Sequence, residues 1–133
     1  MVAERDGQEI LRVFVYGTLK AGGRLSGPVA DSRISSKVGT VKGSMFNVGS
    51  FPAVVFDGKR KVVGEVHEYV NAQKCLQSMD RIEGYGGKIS PYNLYNRIEV
   101  DIDVDGETVK CSTYEWNGDT TQLAEIENGV WEI

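Results

Sequence analysis

Histidine and cysteine, the residues that most often bind transition metals, are scarce in this chain, which has one histidine and two cysteines among 133 residues. A zinc site needs three or four such ligands, so the sequence predicts no metal centre. His67 stands alone among acidic neighbours on a predicted strand, and we expect it to be a solvated residue rather than a base or a ligand. Cys75 and Cys111 are expected to be small core residues and not a disulfide pair.

Excess positive charge is also lacking, and so are long hydrophobic runs. The formal net charge is -4, and lysine and arginine are interleaved with acidic residues, so no basic stripe is available for nucleic acid. No apolar run reaches the length of a membrane span, and residues 1–9 are polar and do not resemble a signal peptide. We therefore expect a cytoplasmic protein that binds neither nucleic acid nor membrane.

Two common catalytic motifs are missing as well. Residues 17–24 resemble a phosphate loop, but Gly22 is followed by Gly23 and Arg24 where a Walker loop requires lysine and then serine or threonine. No Gly-x-Ser-x-Gly elbow is present, and Cys75 falls on a helix face that should be buried. An esterase or amidase with a side-chain nucleophile is therefore disfavoured.

Glycine, by contrast, is abundant. Its 16 residues are spread among short apolar runs, which indicates many tight turns and a β-rich fold. Hydrophobic residues make up 41% and charged residues 26%, as in an average soluble globular protein. At this length we expect one domain over residues 1–133, with residues 1–9 as a flexible, solvated lead-in.

Runs of β-branched and aromatic residues predict six strands: 10–16, 38–47 with a break at Gly43, 53–56, 62–70, 95–104 and 108–116. Asp57-Gly58 and Asp105-Gly106 predict hairpin turns between neighbouring strands.

The clearest helix covers residues 72–83. Asn71 can cap its start, and the glycine that follows it can end it in the left-handed conformation. At helical spacing Leu76, Met79 and Glu83 share one face, so Glu83 lies at the margin of the buried stripe.

Together these elements predict an α+β protein, a small, mixed and mostly antiparallel barrel-like sheet with a helix packed across it. Residues 25–38 are predicted to be a loop with one short helix. In the tail, residues 121–126 are predicted to form a helical turn, and residues 130 and 131 to pack back on the body.

Glu83 is the candidate for proton-transfer chemistry because three effects raise its pKa. The helix dipole disfavours negative charge at the carboxyl end, the apolar face desolvates the group, and Asp80 adds like charge one turn away. A glutamate whose pKa is raised from about 4.3 toward neutrality can accept and return a proton at working pH. The alternative is a solvated glutamate paired with Arg81 or Lys88, and the helix position alone favours this alternative.

Residues 13–19 read Val-Phe-Val-Tyr-Gly-Thr-Leu, a strand that stops at a glycine and so ends in an abrupt turn with exposed backbone groups. Such a turn holds a ligand or is an ordinary loop after a core strand. Several tyrosines leave a similar choice between strand or loop packing and the lining of a pocket, namely Tyr85, Tyr92, Tyr95 and Tyr114.

Four fragments occur in order along the chain: residues 13–19, Met-Asp-Arg-Ile-Glu-Gly at 79–84, Tyr-Asn-Arg at 95–97 and Thr-Tyr-Glu-Trp at 113–116. In order and spacing they resemble the gamma-glutamylcyclotransferase-like family over residues 11–117. The resemblance implies a small mixed barrel with flanking helices and a cavity at one end.

The resemblance also implies a reaction, in which the free α-amine of a γ-glutamyl group attacks its own γ-carbonyl and releases 5-oxoproline and a free amine. In this reaction Glu83 would be the general acid and base. An attack within one substrate needs no side-chain nucleophile, metal or cofactor, so the expected partner is a small γ-glutamyl molecule. The implied substrate-binding residues are Tyr16, Gly17, Thr18, Leu19, Tyr95 and Tyr114, of which the first four would hold the glutamyl end through backbone groups.

Two alternatives stay open. Twelve positions separate Glu83 from Tyr95, a longer interval than the family pattern usually has, so Tyr85 or Tyr92 can take the place of Tyr95. The glycine-rich segment between them is predicted to be a lid over the cavity. A protein of a different class also fits, a non-catalytic module that kept the cavity for ligand binding or interaction.

Overall fold

The computed structural model describes residues 2–5, 8–17, 19, 20 and 27–132. Within these ranges the chain forms strands and two helices. The strands are β1 (Val2–Arg5), β2 (Gln8–Val15), β3 (Arg33–Asn47), β4 (Pro52–Tyr69), β5 (Tyr95–Val104), β6 (Glu107–Trp116) and β7 (Ala124–Glu125), and the helices are α1 (Gly27–Ala30) and α2 (Ala72–Ile82).

One sheet contains these strands in the order β1-β2-β4-β3-β5-β6, with β7 paired to β3. Neighbours in this order are antiparallel, and a parallel contact of β2 with β6, between Val13 and Ser112, closes the sheet into a ring. β3 and β5 meet at Thr40 and Asp103. Because two of its joints are this short, the sheet is a loose ring rather than a regular barrel. The predicted α+β class with a mostly antiparallel sheet is confirmed.

The hairpin turn predicted at Asp57-Gly58 is wrong. β3 and β4 instead turn at residues 48–51, where the Val48 N–H donates to the Phe51 carbonyl at 3.1 Å. The chain then continues through Asp57-Gly58 without reversing, so the two short strands predicted on either side are one strand, β4.

A bulge in β4 explains this difference. Gly43 and Ser44 are adjacent on β3, but their partners on β4 are Arg60 and Val55, so residues 56–59 between those partners have no counterpart on β3. The register shift lies at the break predicted for Gly43. A Cβ atom at Gly43 would lie 2.8 Å from the Val55 carbonyl oxygen, so the bulge requires glycine there.

The second predicted hairpin, at Asp105-Gly106, is confirmed between β5 and β6. Both residues have positive φ angles, 52° and 85°, the combination that a type I′ turn requires. The Gly106 N–H also donates to the Asp103 carboxylate at 2.8 Å, which ties the turn to the end of β5.

Helix α2 begins at Ala72 as predicted, and the glycine predicted to end it does so, but the cap predicted at Asn71 is wrong. Gly84 has a φ of 66°, the left-handed conformation expected after the last turn. Asn71 is itself left-handed, with a φ of 55°, and its side chain makes no capping hydrogen bond with the first turn of the helix. Its amide group instead donates to the Ser32 hydroxyl at 3.2 Å. A capping residue needs extended backbone angles that aim its side chain at the first turn, and Asn71 does not have them.

Both ends of the chain form strands that the sequence did not predict. Val2–Arg5, expected to be a solvated lead-in, pairs with β2 as β1. Ala124–Glu125, expected in a helical turn, pairs with β3 as β7. The predicted return of the tail is confirmed for Trp131, which packs against the core of the ring. The predicted short helix is α1, but β3 starts soon after it, at Arg33.

Strand β2 separates two hydrophobic cores because its side chains alternate between them. Phe14 packs inside the ring with buried residues from its other four strands, including Met45, Val54, Val62, Ile102 and Cys111. Val13 and Val15 face outward and pack under α2 with Cys75 and Met79. Both cysteines are buried and free, as predicted.

Met79→Ala should lower the free energy of unfolding by about 2 to 5 kcal/mol, because it empties a fully buried site between α2 and the ring. Gln77→Ala, on the exposed side of the same helix, is the matched control and should change it by less than about 0.5 kcal/mol. Urea unfolding of the three proteins measures both effects. Equal losses in the two variants would contradict a stabilising contact between α2 and the ring.

Candidate active site

A cavity of about 170 Å³ opens where β2 ends, beside the carboxyl end of α2. Its walls are mostly apolar, and the polar side chains among the described lining residues are one glutamate and three tyrosines. The lining residues are Phe14, Val15, Tyr16, Gly17, Leu19, Phe51, Pro52, Ile82, Glu83, Leu94, Tyr95 and Tyr114.

Most of the residues selected from the sequence meet in this cavity. The turn after β2, the end of α2 and the facing strands β5 and β6 each contribute, which brings together segments far apart in the chain. Thr18 lies outside the described residues, and the roles of the others stay predictions. The selected residues that line the cavity are Tyr16, Gly17, Leu19, Glu83, Tyr95 and Tyr114.

Backbone hydrogen bonds hold Glu83 at the cavity. Its N–H donates to the Met79 carbonyl at 2.9 Å, which continues the hydrogen bonding of the last helical turn. Its carbonyl accepts from the Tyr95 N–H at 3.2 Å, and the carbonyl of Gly84 accepts from the Leu94 N–H at 3.1 Å. These bonds join the end of α2 to the start of β5, and Glu83 lines the cavity beside this junction.

Burial raises the pKa of Glu83 from 4.5 to about 7, because the apolar walls withdraw water from the charged form. Of the three effects predicted from the sequence, desolvation is the one that accounts for the shift. The alternative was a solvated glutamate paired with Arg81 or Lys88. Among the described residues, neither of these side chains forms an ion pair with Glu83. The carboxyl group is thus poised to gain or lose a proton near neutral pH.

The carboxylate of Asp80, one turn before Glu83, accepts hydrogen bonds from two other side chains. The Arg97 guanidinium donates to one carboxylate oxygen, and the Tyr114 hydroxyl donates to the other at 2.6 Å. The same guanidinium lies over the ring of Tyr85, 5.0 Å from its centroid. These contacts explain why Asp80 is not a cause of the raised pKa of Glu83, contrary to the prediction.

The three cavity tyrosines all donate their hydroxyl protons to groups of the protein. Tyr16 donates to the main-chain carbonyl of Tyr114 at 2.5 Å, and Tyr95 donates to the carbonyl of Pro52 at 2.6 Å. The third hydroxyl is the Tyr114 donor to Asp80. Burial raises the pKa of each above the ordinary tyrosine value, so all three are neutral at physiological pH.

The structure decides which of the alternative tyrosines lines the cavity. Tyr95 does, whereas Tyr92 is 95% exposed and Tyr85 packs under Arg97. In the glycine-rich segment before Tyr95, Leu94 lines the cavity. The Asn93 side chain forms hydrogen bonds with other groups of this segment and with the Asn96 side chain. Movement of this segment as a lid stays a prediction.

Sequence reasoning missed the apolar walls. They come from four segments, and no local pattern distinguishes these residues from ordinary core or loop residues. The missed lining residues are Phe14, Val15, Phe51, Pro52, Ile82 and Leu94. The Asp80–Arg97 pair was also missed, although both residues belong to the fragments that carried the family resemblance.

The prediction for His67 is wrong, because the residue is fully buried rather than solvated. Its ring nitrogens bond to the Tyr69 hydroxyl at 2.7 Å and to the Glu65 carboxylate at 2.8 Å. Burial lowers the pKa of His67. Strand alternation assigns His67 to one face of the sheet but does not tell whether that face is covered. His67 does not line the cavity.

Metal ligands and membrane spans were also sought in the part of the chain that the structure describes. It contains no cluster of three or more histidine, cysteine, aspartate or glutamate side chains arranged to hold a metal ion. Neither helix in it has the length and apolar character needed to span a membrane.

The ring, the helix fastened across its open end and the glutamate in the cavity define a small α+β protein with a ligand-sized site. Residues 13–133 match the model of the family described as "Gamma-glutamyl cyclotransferase, AIG2-like", and the chain therefore belongs to that family. A gamma-L-glutamyl-butirosin B gamma-glutamyl cyclotransferase of Niallia circulans is 30% identical over 108 residues, which cover 80% of this chain and 67% of that protein.

Solved structures share the fold. An AIG2-like protein of Mus musculus superposes with a TM-score of 0.72 at 23% identity, covering 89% of this chain and 86% of the mouse chain. YkqA of Bacillus subtilis gives a TM-score of 0.70 at 24% identity, and the match covers 92% of this chain but 39% of YkqA. The chain thus spans less than half the length of YkqA. The family resemblance and the fold predicted from the sequence are both confirmed.

Glu83→Gln should change how stability depends on pH. Because the pKa of Glu83 is about 7 in the folded chain against an ordinary 4.5, the folded state binds more protons between these values, and the free energy of unfolding falls as pH rises through them. Relative to wild type, the variant should gain on the order of 2 to 3 kcal/mol between about pH 4 and pH 8. Urea unfolding at both pH values measures the gain.

The charge-matched control is Glu107→Gln, at an exposed position on β6, which should gain nothing over the same range. If both variants behave alike, the Glu83 carboxyl is not desolvated in solution.

Proposed function

We propose that the protein is a γ-glutamyl cyclotransferase that cleaves a γ-glutamyl amine or amide, with Glu83 as general acid and base. One observation carries the proposal: a carboxyl group with a pKa of about 7 shares a cavity with the turn formed by Gly17 and Leu19. Family membership supports the reaction type. The Niallia circulans relative acts, by its name, on γ-L-glutamyl-butirosin B, which supports a γ-glutamyl substrate for this chain.

The reaction forms one bond and breaks another within a single substrate. The α-nitrogen attacks the γ-carbonyl carbon, and the carbonyl oxygen carries the negative charge of the tetrahedral intermediate. The bond from that carbon to the leaving nitrogen then breaks, giving 5-oxoproline and a free amine. Because the two reacting groups are already joined, the protein has to fold the substrate and move protons but does not supply a nucleophile.

The numbers of protons on the two nitrogens before and after the reaction define the role proposed for Glu83. The α-nitrogen begins as an ammonium group with three protons and ends as a lactam nitrogen with one. The leaving nitrogen starts with one proton, in a secondary amide, and departs with three if it leaves as an ammonium ion. Glu83 would carry these protons between the two nitrogens in turn, which requires a carboxyl group that both accepts and releases protons at working pH.

The turn after β2 would hold the glutamyl end. The Lys20 N–H donates to the Gly17 carbonyl at 3.0 Å, so the chain reverses there beside the cavity. A Cβ atom at Gly17 would lie 2.7 Å from Cγ of Pro52, so glycine allows the main chain to lie close to the opposite wall. Backbone N–H groups of residues 17–19 are the donors we assign to the α-carboxylate or to the oxyanion.

Glu83→Gln should abolish release of 5-oxoproline from a panel of γ-glutamyl amines and amides, with kcat falling by about 10² to 10⁴. The amide has nearly the same size as the carboxyl group but cannot exchange a proton, so the fold should be kept. Chromatographic assay of 5-oxoproline measures the loss, and Glu107→Gln is the control that should keep full activity. Retained activity in Glu83→Gln would refute the mechanism. A wild-type protein that releases none would instead favour the non-catalytic binding module.

The pH dependence of kcat/KM should show an acidic limb with a pKa of about 7, because the protein must hold Glu83 ionised to accept the first proton. Activity should rise with pH through this value. Rates measured from about pH 5 to pH 9 on one substrate define the limb. A limb near the ordinary carboxyl value would contradict the raised pKa of Glu83.

A further inference from the structure

Residues 124–131, which we call the strap, bond to two strands of the ring and then to the turn that follows β2. The Trp131 carbonyl accepts a hydrogen bond from the Lys20 ammonium group at 2.8 Å. We propose that Lys20 is a positioning residue for the cyclisation, because its bond to the strap holds the turn at residues 17–20 where it would bind the glutamyl end. This inference rests on the proposed function and extends it to a residue outside the cavity lining.

The strap is itself fixed to the ring. Its strand β7 pairs with β3, and the Ile126 N–H donates to the Met45 carbonyl at 2.7 Å. Farther along, the Gly129 carbonyl accepts from the Val63 N–H of β4 at 2.9 Å. The Trp131 side chain then packs against the core inside the ring. Bonds to two strands and contact with the core therefore set the position of the Trp131 carbonyl.

Gly129 allows the strap to lie directly against β4. Its φ angle is 68°, in the left-handed region that favours glycine, and a Cβ atom there would overlap the Lys61 carbonyl oxygen. A side chain at this position would therefore force the strap away from the strand. Because the Trp131 carbonyl lies two residues farther along, such a shift would also move the acceptor away from Lys20.

The turn after β2 is held from two sides. Leu19 is buried in the core between α2 and the ring, which holds the turn on one side. On the other side the Lys20 ammonium group bonds to the strap, and the Lys20 N–H bonds to the Gly17 carbonyl at 3.0 Å. Gly17 and Leu19 line the cavity. Lys20 therefore acts on the site through these two neighbours.

The Lys20 bond is strong enough to affect ligand affinity. Its donor is charged, and a charge-assisted hydrogen bond is roughly twice as strong as a neutral one. Backbone N–H groups bind an anionic group best when their directions are already fixed, because a turn that becomes ordered during binding loses conformational entropy and so weakens the affinity. By holding the turn before the ligand arrives, Lys20 and the strap lower that entropic cost.

The first test observes the turn without any ligand. Lys20→Met removes the charged donor and should lower the NMR order parameters of the Gly17 and Leu19 amides, whereas Lys20→Arg keeps a charged donor and should restore most of the order. Lys74→Met, at an exposed position on α2, is the matched control and should leave these amides unchanged. Unchanged amides in Lys20→Met would overturn the positioning role.

The second test measures binding of γ-L-glutamyl-propylamide by calorimetry, in the Glu83→Gln protein so that the ligand is not consumed. Adding Lys20→Met should weaken binding by about tenfold, and adding Lys20→Arg should weaken it less. Equal affinity with and without Lys20→Met would refute a role in holding the substrate.

A double-mutant cycle decides whether Lys20 acts through the strap. Gly129→Ala shifts the strap and should weaken binding of the same ligand, and together with Lys20→Met the two effects should not add, because both break one bond. Additive effects would overturn the coupling. If circular dichroism shows that Gly129→Ala does not fold, Ile126→Ala, which removes a strap contact with the core inside the ring, takes its place.

The proposed function is tested separately, by release of 5-oxoproline from the same propylamide by the wild-type protein. Absence of release refutes the reaction and with it a role for Lys20 in cyclisation. The order of the Gly17 and Leu19 amides does not depend on turnover, so it still decides whether Lys20 and the strap hold the turn.

Discussion

The junction between the end of α2 and the start of β5 is the constraint on which the site depends. Two backbone hydrogen bonds make it, from Tyr95 to Glu83 and from Leu94 to Gly84. Because β5 is paired along its whole length with β6, the junction holds the last turn of a helix outside the ring against the ring itself. The loop between Gly84 and Leu94 begins and ends at this junction, and Glu83 lines the cavity beside it.

The same apolar walls that give Glu83 its useful pKa also make the charged group costly to bury. The chain offsets that cost elsewhere, through the two cores on either side of β2 and through the satisfied polar groups around the cavity. The tyrosine hydroxyls and Asp80 are all paired within the protein, so Glu83 remains as the exchangeable acid of the described lining. Rigid neighbours and one titratable group are the combination that acid–base catalysis uses.

The dipeptide Asp-Gly occurs twice, and the two copies show when a local sequence pattern predicts a hairpin turn correctly and when it does not. Asp105-Gly106 forms the predicted hairpin because its neighbours on both sides pair with each other and the turn needs nothing else. Asp57-Gly58 has the same turn chemistry, but β3 offers partners to β4 on both sides of it, so the pair becomes a bulge in a continuing strand. His67 fails for a related reason, since alternation assigns a side chain to a face without telling what covers that face.

The sequence alone predicted the α+β class, most strand positions and the left-handed Gly84 after α2. It also singled out Glu83 and the turn after β2. These features follow from turn chemistry, helix periodicity and short motifs, which are local properties of the chain. Tertiary structure alone decided that these two segments share a cavity, that Tyr95 lines it in preference to Tyr85 and Tyr92, and that Asp80 is paired with Arg97. Each of these depends on which distant strands become neighbours in the ring. Desolvation of Glu83, and with it the raised pKa, arises when those neighbours assemble around it.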